Sequence, residues 1–244
     1  LENAEKEWIQ YLDADDYLEP DKVKRQADAI AVGEVPADTH FVYGPVTFQH
    51  HEDSNIRREV EPVEYPDDPW TSLVTWDLPQ TGSPLWRKSA LIDVNGWKDE
   101  QPVCQEHELY LRLLKAGKTF TYYPSGGAVY RQWSEQTVCR ADESRTYRYR
   151  LNIMQDAETF MREHDLITPA RREALDRAYL SCARIIWTFD RDWAKEIMHQ
   201  ATQNRTSPLS LPPDASPTLY RWLLRTSGFS GAERVASWKR KLIS

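Results

Sequence analysis

The 244 residues are 40% hydrophobic and 28% charged, a composition that suits one large globular domain or a domain with a helical appendage. The net charge of −7 argues against a nucleic-acid partner, and no apolar run approaches the roughly 20 residues of a membrane-spanning helix. Ten Trp and twelve Tyr are many for this length. Such an excess accompanies sugar-binding surfaces, although core packing explains it more often.

The cysteines exclude two classes of site. Cys104, Cys139 and Cys182 are scattered and odd in number. They therefore predict neither a disulfide framework nor a zinc site, and they fit a reducing cytosol. We expect a cytoplasmic protein.

The first element in the chain is a short apolar strand. The opening LENAEKEWIQYL has the pattern of a helix end that runs into a strand over residues 8–12. A domain seldom begins at such a point, so we expect further sequence upstream of Leu1.

An acidic cluster follows this strand directly. Asp13 and Asp15 stand two residues apart, so at a strand end their side chains point to the same side and can hold a divalent cation. The alternative is that the aspartates cap the helix predicted over residues 21–30, and Asp16 is expected in that role.

The middle of the chain alternates strands and helices irregularly, which predicts an α/β fold with a partly antiparallel sheet. Adjacent His50 and His51 point to opposite sides of their strand, which argues against an ion shared with Glu52 and Asp53. The predicted strands cover residues 41–49, 59–65, 82–86, 119–123 and 128–133, and the predicted helices cover 70–76, 88–94 and 105–116.

The helix over residues 105–116 carries two carboxylates with different expected roles. Glu106 shares a face with Leu109, Tyr110 and Leu113, so it lies at the inner edge of the first turn. A half-buried carboxylate in this position can act as a general base or simply complement the helix dipole. Glu108, four residues before Arg112, predicts a surface ion pair, and His107 predicts a solvated helix residue.

Helical periodicity dominates from about residue 142. Helices are predicted over residues 144–163, 169–189 and 191–203, followed by a Pro/Ser linker over 206–217. The segment 220–244 is basic, and Val235, Trp238 and Leu242 can form an apolar helix edge beside Arg234, Lys239 and Lys241. This pattern predicts either packing on the helical region or peripheral contact with an anionic membrane face.

Four segments in order resemble the family 2 glycosyltransferases, which have the GT-A fold. WIQYLDADDYLEP resembles the strand and DxD segment of that family, QTGSPLWRKSALIDVNGWKDE its acceptor-side segment, QEHELYLRLLKAG the helix with its catalytic base, and YRQW the strand that follows. The resemblance covers roughly residues 1–133. It implies a GT-A-like mixed sheet flanked by helices, followed by an α-helical C-terminal region.

The resemblance also implies an activity and its residues. It implies an inverting, metal-dependent transfer of a hexose from a nucleotide-diphosphate sugar to a saccharide or lipid-linked acceptor, in bacterial cell-surface polysaccharide or glycoconjugate synthesis. In these terms Asp15 holds Mn²⁺ or Mg²⁺, Asp13 contacts the donor or the metal, and Glu106 is the base. Thr81, Gly82 and Trp97 lie on the acceptor side.

The sequence departs from the family at three points. The base is more often Asp, and the His that often follows the YR strand is replaced by Gln132-Trp133-Ser134, which leaves a third protein ligand open. Three βα units, about 90 residues, would precede the DxD segment, so we expect this stretch alone to be inactive. Trp133, like Trp97, can stack on a sugar or pack in the core.

Three regions follow from this interpretation: the C-terminal part of a GT-A domain over 1–140, a helical appendage over 141–205, and a linker with a basic helical tail over 206–244. The competing hypothesis is a non-catalytic module that binds carbohydrate or protein and uses its helical tail for interaction.

Overall fold

The computed structural model describes residues 1–52, 55–61, 63–124, 127–132, 142–203, 209, 211 and 217–243. Contacts divide the chain into two compact units, Leu1–Tyr149 and Arg150–Ser244. The three-part division expected from the sequence stays a prediction.

The first unit is a mixed α/β structure. Its described strands are β1 (Trp8–Gln10), β2 (Tyr17–Leu18), β3 (Phe41–Tyr43), β4 (Val46–Glu52), β5 (Asn55–Glu61), β6 (Leu85–Arg87), β7 (Phe120–Tyr122) and β8 (Ala128–Gln132). Its helices are α1 (Lys22–Ala31), α2 (Pro69–Thr75), α3 (Lys88–Asp93) and α4 (Gln105–Lys115), and α5 (Glu143–Glu163) begins in this unit.

The strands form two mixed four-stranded sheets. The first has the order β1-β6-β3-β7, in which β6 runs antiparallel to β1 and β3, and β3 runs parallel to β7. The second has the order β2-β8-β4-β5, in which β4 runs parallel to β8 and antiparallel to β5. Both sheets are therefore partly antiparallel, as the irregular order of elements predicted.

One predicted strand is divided between these sheets. The apolar stretch 41–49 was expected to be continuous, but β3 pairs in the first sheet and β4 in the second. Gly44 and Pro45 stand at the break. Pro45 has no N–H to donate to a ladder, so it fits the point where the chain changes sheets.

Strand β5, which pairs with β4, begins and ends four residues earlier than the strand predicted over residues 59–65. Every residue of β5 is exposed. Because neither face of the strand is buried, alternating hydrophobic and polar residues do not mark its ends in the sequence. Pairing with β4 sets them instead, from Val46 opposite Glu61 to Glu52 opposite Asn55. His50 and His51 alternate as predicted: His50 stacks near Phe48, and His51 contacts Gln49.

Aromatic residues fill the core between the first sheet and α4. Tyr110 on α4 is fully buried and stacks with Trp86, with ring centroids 5.5 Å apart. Phe41 packs against both rings at 4.5 and 5.2 Å. Because Glu106 lies one turn before Tyr110, this packing fixes the position of the carboxylate relative to the sheet.

The second unit is helical in its described residues. Most of α5, together with α6 (Pro169–Ile186), α7 (Arg191–Gln203) and α8 (Thr218–Ile243), belongs to it. Gly228 has φ 68° and ψ −179° and divides α8 into two helical segments. The helical periodicity predicted for this part of the chain is reflected in a buried stripe on α6, which consists of Leu175, Tyr179, Cys182 and Ile186.

Within the part that the structure describes, no helix contains an 18-residue stretch apolar enough to cross a bilayer. Cys104 and Cys182 are buried and form no disulfide, and Cys139 lies outside the described residues.

Candidate functional site

The acidic cluster lies in a turn rather than on a strand end. Strand β1 ends at Gln10, and the backbone N–H of Asp16 donates to the Asp13 carbonyl at 3.1 Å. The prediction that Asp13 and Asp15 lie at the end of a strand is therefore wrong, because a turn, not the strand, sets the directions of their side chains. Both side chains are open to solvent.

Asp16 has a different role from the one predicted. Its Oδ1 accepts the backbone N–H of Arg131 on β8 at 2.9 Å, and the Arg131 guanidinium donates to the Asp15 carbonyl. The N-cap residue of α1 is Asp21, so the prediction that Asp16 caps this helix is wrong. Asp16 instead ties the acidic turn to the second sheet.

The negative charges of the aspartates in this turn raise the pKa values of Asp13 and Asp16. Partial burial raises the pKa of Asp13, a hydrogen bond from Thr81 partly offsets this, and the charge of Asp15 raises it further. Burial raises the pKa of Asp16 to about 6, with contributions from Asp15 and Asp13 against the opposing Arg131 contacts. A bound cation would relieve this repulsion.

Glu106 faces the same turn from α4. It is half-buried in the first turn of the helix, as predicted, and its Oε1 accepts a hydrogen bond from the Thr81 hydroxyl at 2.9 Å. Thr81 also interacts with Asp13. One buried threonine therefore connects the predicted base with the predicted donor-binding aspartate.

A buried polar network supports this threonine from behind. The Gln10 side chain at the end of β1 donates to the Gly82 carbonyl at 2.9 Å and accepts from Lys22 Nζ on α1. Lys22 is 1% exposed, and burial lowers its pKa to about 7. The network holds the strand that leads to Asp13 beside the segment that carries Thr81.

Gly82, expected on the acceptor side, is buried behind Thr81. A Cβ at this position would lie 3.6 Å from the side chains of Leu12 and Ala128. These are ordinary van der Waals distances, so a Cβ would fit here and would face side chains of the protein itself.

Two cavities open on either side of Asp13 and Glu106, and both residues line both cavities together with Gln105. The first cavity has a volume of about 540 Å³, and its other lining residues are Tyr11, Leu12, Thr81, Trp97, Pro102 and Val103. Trp97 contacts Tyr11 edge to face, with ring centroids 5.5 Å apart. Trp97 and Thr81 thus lie beside the predicted base.

The second cavity has a volume of about 380 Å³ and combines aromatic and acidic groups. Phe48, Trp76 and Tyr130 line it together with Glu61 and Asp77. This wall could not be predicted from the sequence, because its residues come from separate elements and loops that only the fold brings together.

Two predictions for α4 are wrong. His107 is buried and lies flat on Trp76, with ring centroids 3.8 Å apart, so it is not a solvated residue. Glu108 does pair with Arg112 at 2.7 Å, but it is 7% exposed and also binds Lys98 at 2.5 Å. Arg112 further donates to the Gly96 carbonyl at 2.7 Å, so this pair fixes the loop before α4.

Asp13 and Asp15 would supply two carboxylate ligands to a divalent cation bound on this turn. Carboxylate oxygens suit Mn²⁺ or Mg²⁺, and the open turn leaves positions for water and substrate oxygens. Among the described residues, no group of three or more His, Cys, Asp or Glu side chains is placed to hold a metal. Residues 133–141, which include Trp133 and Ser134, lie outside the described residues.

No protein-family profile matches the sequence, and no curated protein matches it. Among solved structures, the chain is similar to S. aureus TarS 1–349 in complex with UDP-GlcNAc, with a TM-score of 0.49 and 12% sequence identity. The match covers 78% of this chain and 52% of that chain, so this chain spans about half of the TarS structure.

Proposed function

We propose that this protein is an inverting glycosyltransferase with a GT-A-type catalytic unit, which transfers a sugar from a nucleotide-diphosphate sugar to an acceptor hydroxyl. The observation that carries the proposal is the position of Glu106. This carboxylate is half-buried at the start of α4, is oriented by Thr81 at 2.9 Å, and shares both cavities with Asp13.

Glu106 is the general base in this mechanism. The Thr81 hydroxyl occupies Oε1, so Oε2 takes the proton from the acceptor hydroxyl as its oxygen attacks the anomeric carbon. Loss of a general base typically slows a reaction by about 10²- to 10⁴-fold. The buried contacts of Tyr110, four residues later, keep the carboxylate in place.

Asp13 and Asp15 would hold the divalent cation and the donor diphosphate on the acidic turn. When bound there, Mn²⁺ or Mg²⁺ neutralises the charge that develops on the leaving diphosphate. Asp16 contributes by fixing the turn to β8 through the Arg131 backbone. Trp97 and Tyr11 offer an aromatic wall to an acceptor sugar beside Glu106.

The donor expected is a nucleotide-linked hexose, and the acceptor expected is a saccharide or a lipid-linked saccharide. The test is hydrolysis of nucleotide sugars by the full-length protein, with and without Mn²⁺ or Mg²⁺. We expect slow hydrolysis that requires the metal and is lost on chelation. A non-catalytic binding module would bind sugar and release no nucleotide diphosphate under any of these conditions.

A further inference from the structure

Acidic side chains outnumber basic ones in the lining of the two cavities beside Glu106, where His107 is the one basic residue among those described. Four carboxylates line them: Asp13, Glu61, Asp77 and Glu106. Among the described residues that line either cavity, none is Lys or Arg. The guanidinium of Arg131, near the acidic turn, donates to the Asp15 carbonyl.

The carboxylates of the second cavity already repel one another. Glu61 remains exposed, but partial shielding from water raises its pKa, and the charges of Asp77 and Glu59 raise it further. The Asp77 carboxylate accepts the backbone N–H of Glu64 at 2.6 Å, which fixes its position in the wall. A phosphate or carboxylate on a substrate would add another negative charge to this group, and partial burial weakens the screening by water.

The remaining lining suits an uncharged sugar. Tyr11 and Trp97 in the first cavity, and Phe48, Trp76 and Tyr130 in the second, offer faces and edges for the C–H groups of a pyranose ring. Ionised carboxylates accept hydrogen bonds and cannot donate them, so they match sugar hydroxyls.

We propose that the acceptor of this enzyme is an uncharged saccharide, and that the acidic lining, Glu61 included, excludes phosphorylated or acidic acceptors. This inference rests on the proposed function, since it names the acceptor class of the same site. It assigns to Glu61 a role in specificity, not in the chemical step.

The test measures sugar binding without donor or metal. The probes are the methyl glycosides of glucose, galactose and N-acetylglucosamine, each paired with its own 6-phosphate. Affinities are measured by saturation-transfer NMR titration in low-salt buffer with a chelator, so that no phosphate binds through a metal on the acidic turn. We expect at least one neutral glycoside to bind, and to bind at least about tenfold more tightly than its phosphate.

Charge variants link this preference to the cavity wall. Glu61 is an exposed residue at the end of β5, so Glu61→Gln and Glu61→Lys should fold, and the preference for the neutral partner should fall stepwise. The control Glu100→Lys makes the same change at an exposed residue that does not line either cavity, and it should keep the preference.

Two results would overturn the proposal: binding of the phosphates as tightly as the neutral partners, or no binding by any neutral glycoside. Parallel hydrolysis assays separate this outcome from failure of the proposed function. Metal-dependent hydrolysis with a preference for phosphates overturns only the acceptor class. If the protein prefers neutral glycosides but hydrolyses no nucleotide sugar, the proposed transferase function is overturned. The preference of the two cavities for uncharged sugars then still stands.

Discussion

The carboxylates of the second unit and those that line the two cavities of the first unit are held in opposite ways. In the second unit, Glu158 accepts hydrogen bonds from Arg162, Arg172 and Tyr179 at 2.7–2.9 Å, and its side chain is 14% exposed. Glu233 is fully buried and is held in the same manner by two arginines and a tyrosine, Arg184, Arg240 and Tyr220.

The carboxylates of Asp13 and Glu106, which line the two cavities of the first unit, contact a hydroxyl group instead of arginines. The Thr81 hydroxyl donates to Glu106 and also interacts with Asp13. Each of these two carboxylates lines both cavities. A carboxylate surrounded by guanidinium groups contributes to the fold, whereas one held by a single hydroxyl keeps an oxygen for a substrate or cation. Substitutions in the cleft should therefore cost activity, and those in the second unit should cost stability.

Replacement of Asp15 should have the largest effect. Because its side chain is exposed in a turn, Asp15→Ala should keep the fold and reduce metal-dependent transfer by about 10³-fold or more. The measurement is the transfer rate of the full-length protein across a metal titration, with exposed Asp99→Ala as the control. Normal activity of Asp15→Ala at limiting metal would remove the basis for a cation site on this turn.

Replacement of Glu158 should act on stability instead. Glu158→Gln removes the counter-charge of half-buried Arg172 and of exposed Arg162, so the free energy of unfolding should fall by about 1–3 kcal/mol. Urea denaturation checks this value, with Glu163→Gln on the same helix as an exposed control. A loss below about 0.5 kcal/mol would show that the buried pairs contribute little.

The same carboxylate predicts an acid limit for the second unit. Burial acts to raise the pKa of Glu158, but the hydrogen bonds from Arg172 and Tyr179 and the nearby arginine charges outweigh it and lower the pKa. A lowered folded-state pKa gives stability that is present above about pH 4.3 and is lost as the pH falls through the folded-state pKa. Glu158→Gln should weaken this acid dependence.

Lys22 predicts a pH dependence of the same sign in the first unit, but in the alkaline range. Burial lowers its pKa to about 7, so between about pH 7 and 10 the unfolded chain binds more protons than the folded one. Stability should rise with pH over this range, by at most about 1.4 kcal/mol per pH unit. Lys22→Met should flatten the rise, while exposed Lys24→Met should keep it; an unchanged slope in Lys22→Met would contradict the assignment.

The smallest expected effect concerns α8. Val235 and Trp238 are 41% and 66% exposed, and the exposed residues beside them include Arg234 and Lys239. An apolar edge with cationic neighbours fits an anionic lipid surface. We expect flotation with vesicles that contain phosphatidylglycerol, and reduced flotation for a Val235→Ser, Trp238→Ser double variant.

Point variants are preferable to deletion of the tail, since deletion would also remove Glu233 and its buried contacts. Vesicles of phosphatidylcholine alone are the control. Equal flotation of the double variant and the natural protein would show that this edge does not bind membranes.

The sequence predicted elements with strong local signals and missed those that depend on distant partners. Helix α7 begins and ends where its periodicity predicted, and α4 ends one residue earlier. Strand β5 and the break between β3 and β4 depend on pairing with residues far along the chain, which periodicity does not report.

In the candidate site, too, features with a local sequence signal could be predicted, whereas contacts with distant residues could not. The half-buried position of Glu106 could be predicted from its helical face, since Leu109, Tyr110 and Leu113 mark the core side. The burial of Glu108 could not, because Lys98 and the carbonyls that bind Arg112 lie outside the helix. The link through Thr81 likewise joins residues 25 positions apart.

The most direct test of the proposal that Glu106 is the general base is the transfer rate of Glu106→Gln in the full-length protein at saturating acceptor. Gln keeps the shape and the hydrogen bond to Thr81 but removes the basicity, so donor binding should survive while transfer falls by about 10²- to 10⁴-fold. Exposed Glu100→Gln should transfer normally, and Glu108→Gln should lose stability rather than rate per folded molecule. Normal transfer by Glu106→Gln, or a lost rate in a fully folded Glu108→Gln, would contradict the assignment of Glu106 as the base.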